Sequence, residues 1–199
     1  DLPGEKRGMI PNDKYYDKNY RGSWNGLTII SIAIGQGEVT ATPLQIANLG
    51  ATIANRGYFI TPHVVKEIED GEMESQFSEK RYTKVRKEHY ETVVQGMRAA
   101  VTGGTCRAAN IPGLDVCGKT GTAQNRGKDH SAFMGFAPMD NPKIAVAVYV
   151  ENGGWGATYG VPIGALIMEK YLKGTLSPES EVKARDIQLR RIDYGIHER

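Results

Sequence analysis

The chain has 199 residues and a formal net charge of +2, from 25 Lys and Arg against 23 Asp and Glu. That length suffices for one domain with its own core, and the balanced charge argues against nucleic acid or a membrane surface as the main partner. No apolar run is long enough to span a bilayer, and no signal peptide is visible. Because the chain opens on Asp1 rather than Met, we expect it to be a piece of a longer protein.

Helices are predicted in the first half of the chain, after a polar segment of loop with at most short helices. One begins at Pro43, with Thr42 as a possible cap, and stops at Gly57. A second runs from about Lys84 to Val101, where apolar residues recur at helical spacing. Between them, residues 58–68 are expected to be extended only as an edge or a short piece, because they contain a proline.

In the second half of the chain, the sequence predicts a sheet followed by a helix. Three extended runs, at 114–124, 131–137 and 143–151, are joined by short turns, which favours antiparallel neighbours. The third run is apolar on both faces and should be covered on both. A helix at 159–172 follows, and then a charged tail. The sequence therefore predicts an α+β fold with an antiparallel three-strand meander flanked by helices, divided into residues 1–174 and a tail at 175–199.

Cys106 and Cys117 are the two cysteines of the chain. Two cysteines without a supporting His pair are too few for a zinc site, so we predict no metal and no cofactor. We interpret both as buried thiols, although a disulfide between them stays possible in an oxidising compartment. Trp24 and Trp155 could form the rim of a cleft or simply pack, and we favour packing. His130 could border the cleft, but we interpret it as a surface or hydrogen-bonded residue. His63, His89 and His197 suggest no catalytic triad.

Residues 117–124 read Cys-Gly-Lys-Thr-Gly-Thr-Ala-Gln, and two chemistries compete for them. With Gly113, this segment fits the phosphate-loop pattern G-x-x-x-x-G-K-[ST]. Lys119, Thr120 and Gly121 also form the K-T-G element of penicillin-recognising acyl transferases. A phosphate loop needs a strand before it and a helix after Thr120, yet glycines and an Asn/Asp cluster follow. The local sequence therefore favours an extended K-T-G strand over a nucleotide-binding loop.

Four stretches in this order resemble the transpeptidase domain of class B penicillin-binding proteins, in particular the penicillin-binding protein 2 type. K-T-G alone is a weak signal, but K-T-G-T-A preceded by G-Q-G and T-P is specific. The resemblance covers residues 1–174. The matching stretches are Ile34-Gly35-Gln36-Gly37 with Ala41-Thr42-Pro43-Leu44-Gln45, Gly104-Thr105, Gly118 to Gln124, and Phe133 to Pro138 with Glu151-Asn152-Gly153-Gly154.

The resemblance implies a serine-type D,D-transpeptidase that cross-links peptidoglycan stem peptides ending in D-Ala-D-Ala and is blocked by β-lactam antibiotics. It also implies glycan-polymerising and elongation-complex partners, no nucleic acid, and a place on the periplasmic side of the bacterial inner membrane. Lys119 and Thr122 are the implied catalytic residues. Lys119 would supply a positive field, and the backbone N–H of Thr122 would form part of the oxyanion hole. Lys119, Thr120, Gly121 and Thr122 together are implied to bind substrate.

The family's other two motifs, S-x-x-K and S-x-N, are expected to lie outside this chain. Ser180-Glu181-Val182-Lys183 matches S-x-x-K but follows K-T-G instead of preceding it. Ser23-Trp24-Asn25 matches S-x-N but lies in the loop just before Gly35-Gln36-Gly37, where the family usually does not have its catalytic serine. We interpret both as chance and expect the chain alone to be inactive. A β-lactam sensor domain, a carboxypeptidase or β-lactamase-like hydrolase, and a fragment without its own activity stay open as alternatives.

Overall fold

The computed structural model describes residues 2–192 and 194, and it separates into two compact units. One unit is Pro3–Thr42, and the other contains the chain from Pro43 onward. His197 lies outside the described residues.

The small unit contains two eight-residue helices, α1 (Asp13–Tyr20) and α2 (Gly26–Ala33). Asn25 caps α2: its side chain accepts from the backbone N–H of Leu27, and Thr28 accepts from the Asn25 N–H in return. Such reciprocal bonds satisfy N–H groups that a helix start leaves without partners. The match of Ser23-Trp24-Asn25 to S-x-N is therefore a helix start, consistent with our interpretation of it as chance.

The carboxylate of Glu38 binds two tyrosines of α1 within the small unit. Glu38 accepts hydrogen bonds from the hydroxyls of Tyr20 and Tyr16, the latter at 2.7 Å, and Tyr16 is almost completely buried. Trp24 packs against Tyr16 and donates its indole N–H to Asp17, as predicted for a packing residue. Hydrogen bonds from Tyr20 and Tyr16 hold the pKa of Glu38 below its ordinary value, because they favour the charged carboxylate.

The large unit is an α+β structure, as the sequence predicts, with a three-stranded antiparallel sheet of β3 (Cys117–Ala123), β4 (His130–Ala137) and β5 (Ile144–Val150) in that order. A separate two-stranded ribbon pairs β1 (Tyr58–Phe59) with β2 (Arg81–Tyr82), and β1 ends before Pro62. Short 3₁₀ turns occur at Ser75–Phe77 and Arg107–Ala109. The elements are α3 (Pro43–Ala54), β1 (Tyr58–Phe59), β2 (Arg81–Tyr82), α4 (Lys87–Thr102), β3 (Cys117–Ala123), β4 (His130–Ala137), β5 (Ile144–Val150), α5 (Gly160–Lys173) and α6 (Pro178–Leu189).

Helices cover both faces of the sheet. Helix α3 contacts β4 and β5, while α5 contacts the same two strands from the other side. Met134 lies against Gly50 of α3, and its chain neighbour Phe133 lies against Gly164 of α5, as the alternation of side chains along a strand requires. The prediction that β5 is covered on both faces is thus confirmed, although the side chain of Tyr149 is partly exposed.

Three glycines surround the ring of Phe133, which is 1% exposed. A Cβ added at Gly118 of β3 or Gly135 of β4 would lie 2.5 Å from a ring atom, and one added at Gly164 of α5 would lie closer still. The ring therefore covers two glycines of adjacent strands and fills the space between the sheet and α5. Side chains at those three positions would force the layers apart.

Helix α6 forms part of the predicted charged tail and is anchored through a buried carboxylate. Glu169 of α5 is fully buried and accepts from Lys173 and from the backbone N–H of Ser177, the N-cap of α6. Burial acts to raise the pKa of Glu169, but hydrogen bonds from Ser180, Lys173 and Ser177 outweigh it and hold that pKa below its ordinary value. The division of the chain at residue 174 stays a prediction.

Both cysteines are free and buried, which confirms the interpretation as core thiols. Burial raises the pKa of Cys117 to about 11, so its thiol stays protonated and unreactive near neutral pH. Burial also raises the pKa of Cys106.

Two glycine-to-alanine substitutions in helices should have effects of opposite sign. Gly164→Ala forces a methyl group into the Phe133 ring, so we expect the free energy of unfolding to fall by about 1–3 kcal/mol. Gly96 of α4 has open space around its Cβ position, and Gly96→Ala should raise that free energy by about 0.5–1 kcal/mol. Equilibrium urea unfolding measures both. Equal effects would contradict the packing of Phe133 described above.

The Tyr20–Glu38 bond makes the small unit sensitive to acid. A carboxylate whose pKa is lowered by folding contributes stability above about pH 4.3, its unfolded value, and loses that contribution as the pH falls through the folded pKa. We expect Tyr20→Phe to raise the Glu38 pKa toward its ordinary value in a side-chain NMR titration. Tyr15→Phe removes a hydroxyl of the same helix outside this pair and should change the Glu38 pKa far less.

Candidate functional site

The K-T-G segment lies on an edge strand. Residues Lys119–Thr122 belong to β3, which pairs with β4 on one side only within the three-stranded sheet. After β3 the chain turns at residues 124–129 and enters β4, so no helix follows Thr120 as a phosphate loop requires. The nucleotide-binding interpretation therefore fails, and the extended interpretation is confirmed. An edge strand offers backbone N–H and C=O groups to an extended ligand.

Successive residues of the segment serve opposite faces of the sheet. Lys119 pairs with Met134 and Gly121 with Ala132, which puts both on the α3 side. Thr120 pairs with Phe133 on the α5 side, and Thr122 lies on that side too. The cation and the two hydroxyls thus approach the free edge of β3 from different sides.

On the α3 side, the cation borders an apolar groove of about 220 Å³. The Lys119 ammonium is exposed and donates to the backbone oxygen of Thr120 at 3.0 Å. Its long stem and this local bond keep the charge beside the strand edge rather than inside the groove. The groove is lined by Pro43, Ile46, Leu49, Lys119, Thr120, Gly121, Ala132, Phe133, Met134, Ala147, Val148 and Tyr149.

On the α5 side, the Thr120 hydroxyl is paired with the hydroxyl of Thr105 at 2.9 Å. One hydroxyl of such a pair donates to the other, and the accepting one keeps its own O–H for a further partner such as a carboxylate. The sequence predicts no role in the site for Thr105, although Gly104-Thr105 is among the stretches that carry the family resemblance. Thr105 is therefore a candidate site residue that only the tertiary structure brings to Thr120.

A loop between β5 and α5, residues 151–159, supports β3 from the same side. The backbone N–H of Gly156 donates to the Thr122 hydroxyl at 3.4 Å. A Cβ on Gly156 would lie 2.5 Å from the Gly121 oxygen and 3.0 Å from the Thr120 Cβ, so only glycine fits there. The buried hydroxyl of Ser131 donates to the Trp155 oxygen at 2.8 Å and accepts from the Gly160 N–H. These bonds fix the loop against the strand.

His130 and Trp155 lie in or beside this loop and differ in their surroundings. His130 is hydrogen-bonded, as predicted: its Nδ1 accepts from the Asn152 N–H at 2.9 Å, and its ring lies beside Tyr149. The expectation that Trp155 packs is wrong, because this residue is 77% exposed. The loop fixes the Trp155 backbone and leaves the indole in solvent, an arrangement that a linear pattern does not reveal.

The S-x-x-K match at Ser180 lies on α6, where Ser180 is buried and Lys183 is exposed. The two side chains are thus not presented together as a nucleophile and its base, consistent with our interpretation of this match as chance. Between residues 2 and 192, no helix is both long and apolar enough to cross a bilayer. Over the same range, no group of three His, Cys, Asp or Glu residues is arranged as metal ligands.

Comparison with known proteins identifies relatives of this chain. Residues 1–172 match the family model described as the penicillin binding protein transpeptidase domain. The chain is 34% identical over 185 residues to a protein of Acinetobacter baumannii named peptidoglycan D,D-transpeptidase MrdA. That alignment covers 79% of this chain and 26% of the relative, so the chain spans about a quarter of the relative's length.

Solved structures show the same similarity. The structure of Pseudomonas aeruginosa PBP2 in complex with WCK 5153 has a TM-score of 0.79 and 37% identity, covering 90% of this chain and 40% of that one. A Helicobacter pylori complex between penicillin-binding protein PBP2 and MreC has a TM-score of 0.74 and 26% identity, covering 88% and 33%. The similarity therefore extends over most of this chain and over a minor part of each relative.

Replacing Gly156 should loosen the K-T-G strand. In Gly156→Ala the methyl group meets backbone oxygens of β3 and β4, so we expect the loop to move and amide exchange in residues 119–122 to become faster. Hydrogen–deuterium exchange with mass spectrometry measures this. Gly154→Ala is the matched control, because it introduces backbone strain at a positive φ in the same loop without meeting any atom within 4 Å. Equal exchange in both variants would contradict direct support of β3 by Gly156.

Proposed function

The chain belongs to the penicillin-binding protein transpeptidase family, and from this premise we propose that it is the C-terminal part of a peptidoglycan D,D-transpeptidase domain. The observation that carries the proposal is the placement of Lys119-Thr120-Gly121-Thr122 on β3, the edge strand of the three-stranded sheet. A stem peptide ending in D-Ala-D-Ala is the proposed substrate, and it would add to this edge as a further strand.

The proposed reaction has two steps. The oxygen of a serine, supplied by an S-x-x-K segment N-terminal to this chain, attacks the carbonyl carbon of the penultimate D-Ala. The peptide bond then breaks, and the terminal D-Ala leaves with a proton on its nitrogen. In the second step an amine of a neighbouring stem peptide attacks the acyl-serine, which forms the cross-link and returns the proton to the serine.

The chain's own residues would bind the substrate and stabilise charge. The ammonium of Lys119, exposed at the edge of β3, favours both the terminal carboxylate and the developing oxyanion. The hydroxyls of Thr120 and Thr122 lie on the α5 side of the same edge, where they could bind that carboxylate. Gly121 lets the peptide backbone approach closely. We propose that the backbone N–H of Thr122 is one half of the oxyanion hole.

The other half of the oxyanion hole and the nucleophile would come from the missing segment, so the 199-residue chain by itself should not form an acyl-enzyme. Loss of a single oxyanion donor typically costs on the order of a hundredfold in rate. For the same reason a hydrolytic activity, as in a carboxypeptidase or β-lactamase, would need the complete domain. Transfer and hydrolysis differ in whether an amine or water reaches the acyl-serine, and a product assay with an added amine acceptor separates them.

Partners and location follow from the same proposal. The relative from Helicobacter pylori was solved with MreC, which supports elongation-complex proteins as partners of the longer protein. We propose β-lactam antibiotics as covalent inhibitors and glycan-polymerising enzymes as further partners. A peptidoglycan substrate requires a place on the outer side of the inner membrane, in the periplasm, with the anchor outside this chain.

Removing the cation should slow acylation. In the longer protein that carries the S-x-x-K segment, we expect Lys119→Ala to reduce the second-order rate of labelling by a fluorescent penicillin by on the order of a hundredfold. Lys128→Ala, in the exposed turn after β3, is the matched control and should label at the wild-type rate.

Mass spectrometry of the labelled serine gives the site directly. The 199-residue chain should take no covalent label under the same conditions. A stable adduct on this chain would mean that the nucleophile lies within it, and failure of the longer wild-type protein to label would overturn the proposed function.

A further inference from the structure

The loop between β5 and α5 is held at several points along its length. The Gly154 N–H donates to the Asp129 oxygen at 2.8 Å, and the Thr158 N–H donates to the Trp155 oxygen at 2.8 Å. The Arg190 guanidinium, at the end of α6, donates to the Thr158 oxygen at 3.0 Å and lies over the ring of Tyr159. Together with the bonds from Ser131 and to Thr122, these contacts hold the loop backbone on both sides of Trp155.

The indole of Trp155 is exposed on a loop whose backbone is held by contacts with β3 and β4. These contacts account for the backbone of the loop but leave the indole uncovered. Trp155 is 77% exposed, whereas its neighbour Gly156 is buried against β3. Tryptophan on a preformed backbone loses little further freedom when a ligand covers it, and it offers a large apolar surface. Its sequence neighbour Gly156 donates to Thr122, and the Trp155 backbone oxygen accepts from Ser131, the residue that pairs with Thr122. The Trp155 backbone therefore lies beside the proposed carboxylate end of the substrate strand.

We propose that Trp155 is a specificity-determining residue that contacts the side chain of the ligand's C-terminal unit. The inference rests on the proposed function, since it assumes a ligand on the edge of β3 with its carboxylate near Thr120 and Thr122. Both hydroxyls lie on the α5 side of the sheet, the side to which the loop belongs. A carboxylate there brings the substituent on the adjacent carbon, a methyl group in D-Ala, close to the indole.

The ligand class is therefore a D-configured terminal unit with an apolar side group. The indole would cover that group and exclude water from it, while the hydroxyls and Lys119 bind the carboxylate. A terminal unit without the side group gains nothing from Trp155. The contact adds selectivity to a carboxylate site that by itself would accept any terminal acid.

Two ester donors test this contact in the longer protein that carries the S-x-x-K segment. They are an N-acyl-D-Ala-D-lactate and an N-acyl-D-Ala-glycolate, which differ in one methyl group on the leaving unit. Acylation breaks the ester bond of each donor and releases D-lactate or glycolate. The ratio of the two acylation rates, measured as kcat/KM for acid release, is the quantity of interest. Wild-type protein should prefer the D-lactate donor.

We expect Trp155→Ala to lower that ratio by about three- to tenfold, the range of a single aromatic contact. Trp155→Phe should keep most of the preference, because it retains an apolar ring. Tyr171→Ala is the matched control, since it removes an exposed aromatic near the end of α5. A change in the loop that only disturbs the strand would slow both donors in proportion and leave the ratio unchanged.

The outcomes separate the two proposals. An unchanged ratio in Trp155→Ala, with or without an equal loss for both donors, would overturn the role of Trp155 and leave the transpeptidase proposal standing. If the wild-type protein is acylated by neither donor and by no penicillin, the proposed function itself fails. A ratio that falls in Tyr171→Ala as much as in Trp155→Ala would also contradict a specific contact.

Discussion

The large unit depends on the packing of the Phe133 ring against three glycines. Phe133 occupies the space above Gly118 and Gly135 and below Gly164, so β3, β4 and α5 are all positioned by the same side chain. The ring is fully buried, and the glycines let the strands and the helix approach it more closely than any other residue type would. Because Gly118 directly precedes Lys119, this packing also determines where the K-T-G segment lies.

Contacts on the α5 side hold the edge of β3, where we propose that the substrate binds. A strand at the edge of a sheet has backbone partners on one side only and would otherwise be prone to fraying. Here Gly156 contacts Gly121, the Thr105 hydroxyl is bonded to Thr120, and Ser131 holds the loop that carries Gly156. The free edge is therefore preorganised on one face, while the other face borders an apolar groove.

The charged C-terminal segment contributes to the same arrangement. Glu169 binds the start of α6, and Arg190 at its end donates to Thr158 in the loop beside β3. A buried carboxylate is costly unless hydrogen bonds compensate for lost water, and Lys173 and the Ser177 N–H offset part of this cost by donating to Oε1 of Glu169. Helix α6 is thus connected through defined bonds to the loop that supports the candidate site.

The α+β class, the approximate bounds of α3, α4, α5 and the three-stranded meander, and the extended state of the K-T-G segment can be predicted from the sequence. These features follow from local information: the apolar period, Pro43 at a helix start, and glycines that exclude a helix after Thr120. The remaining features could not be predicted in this way. Only the tertiary structure brings Thr105 to Thr120, exposes Trp155 and buries Ser180. These features depend on contacts between residues far apart in the chain, which local sequence preferences do not determine.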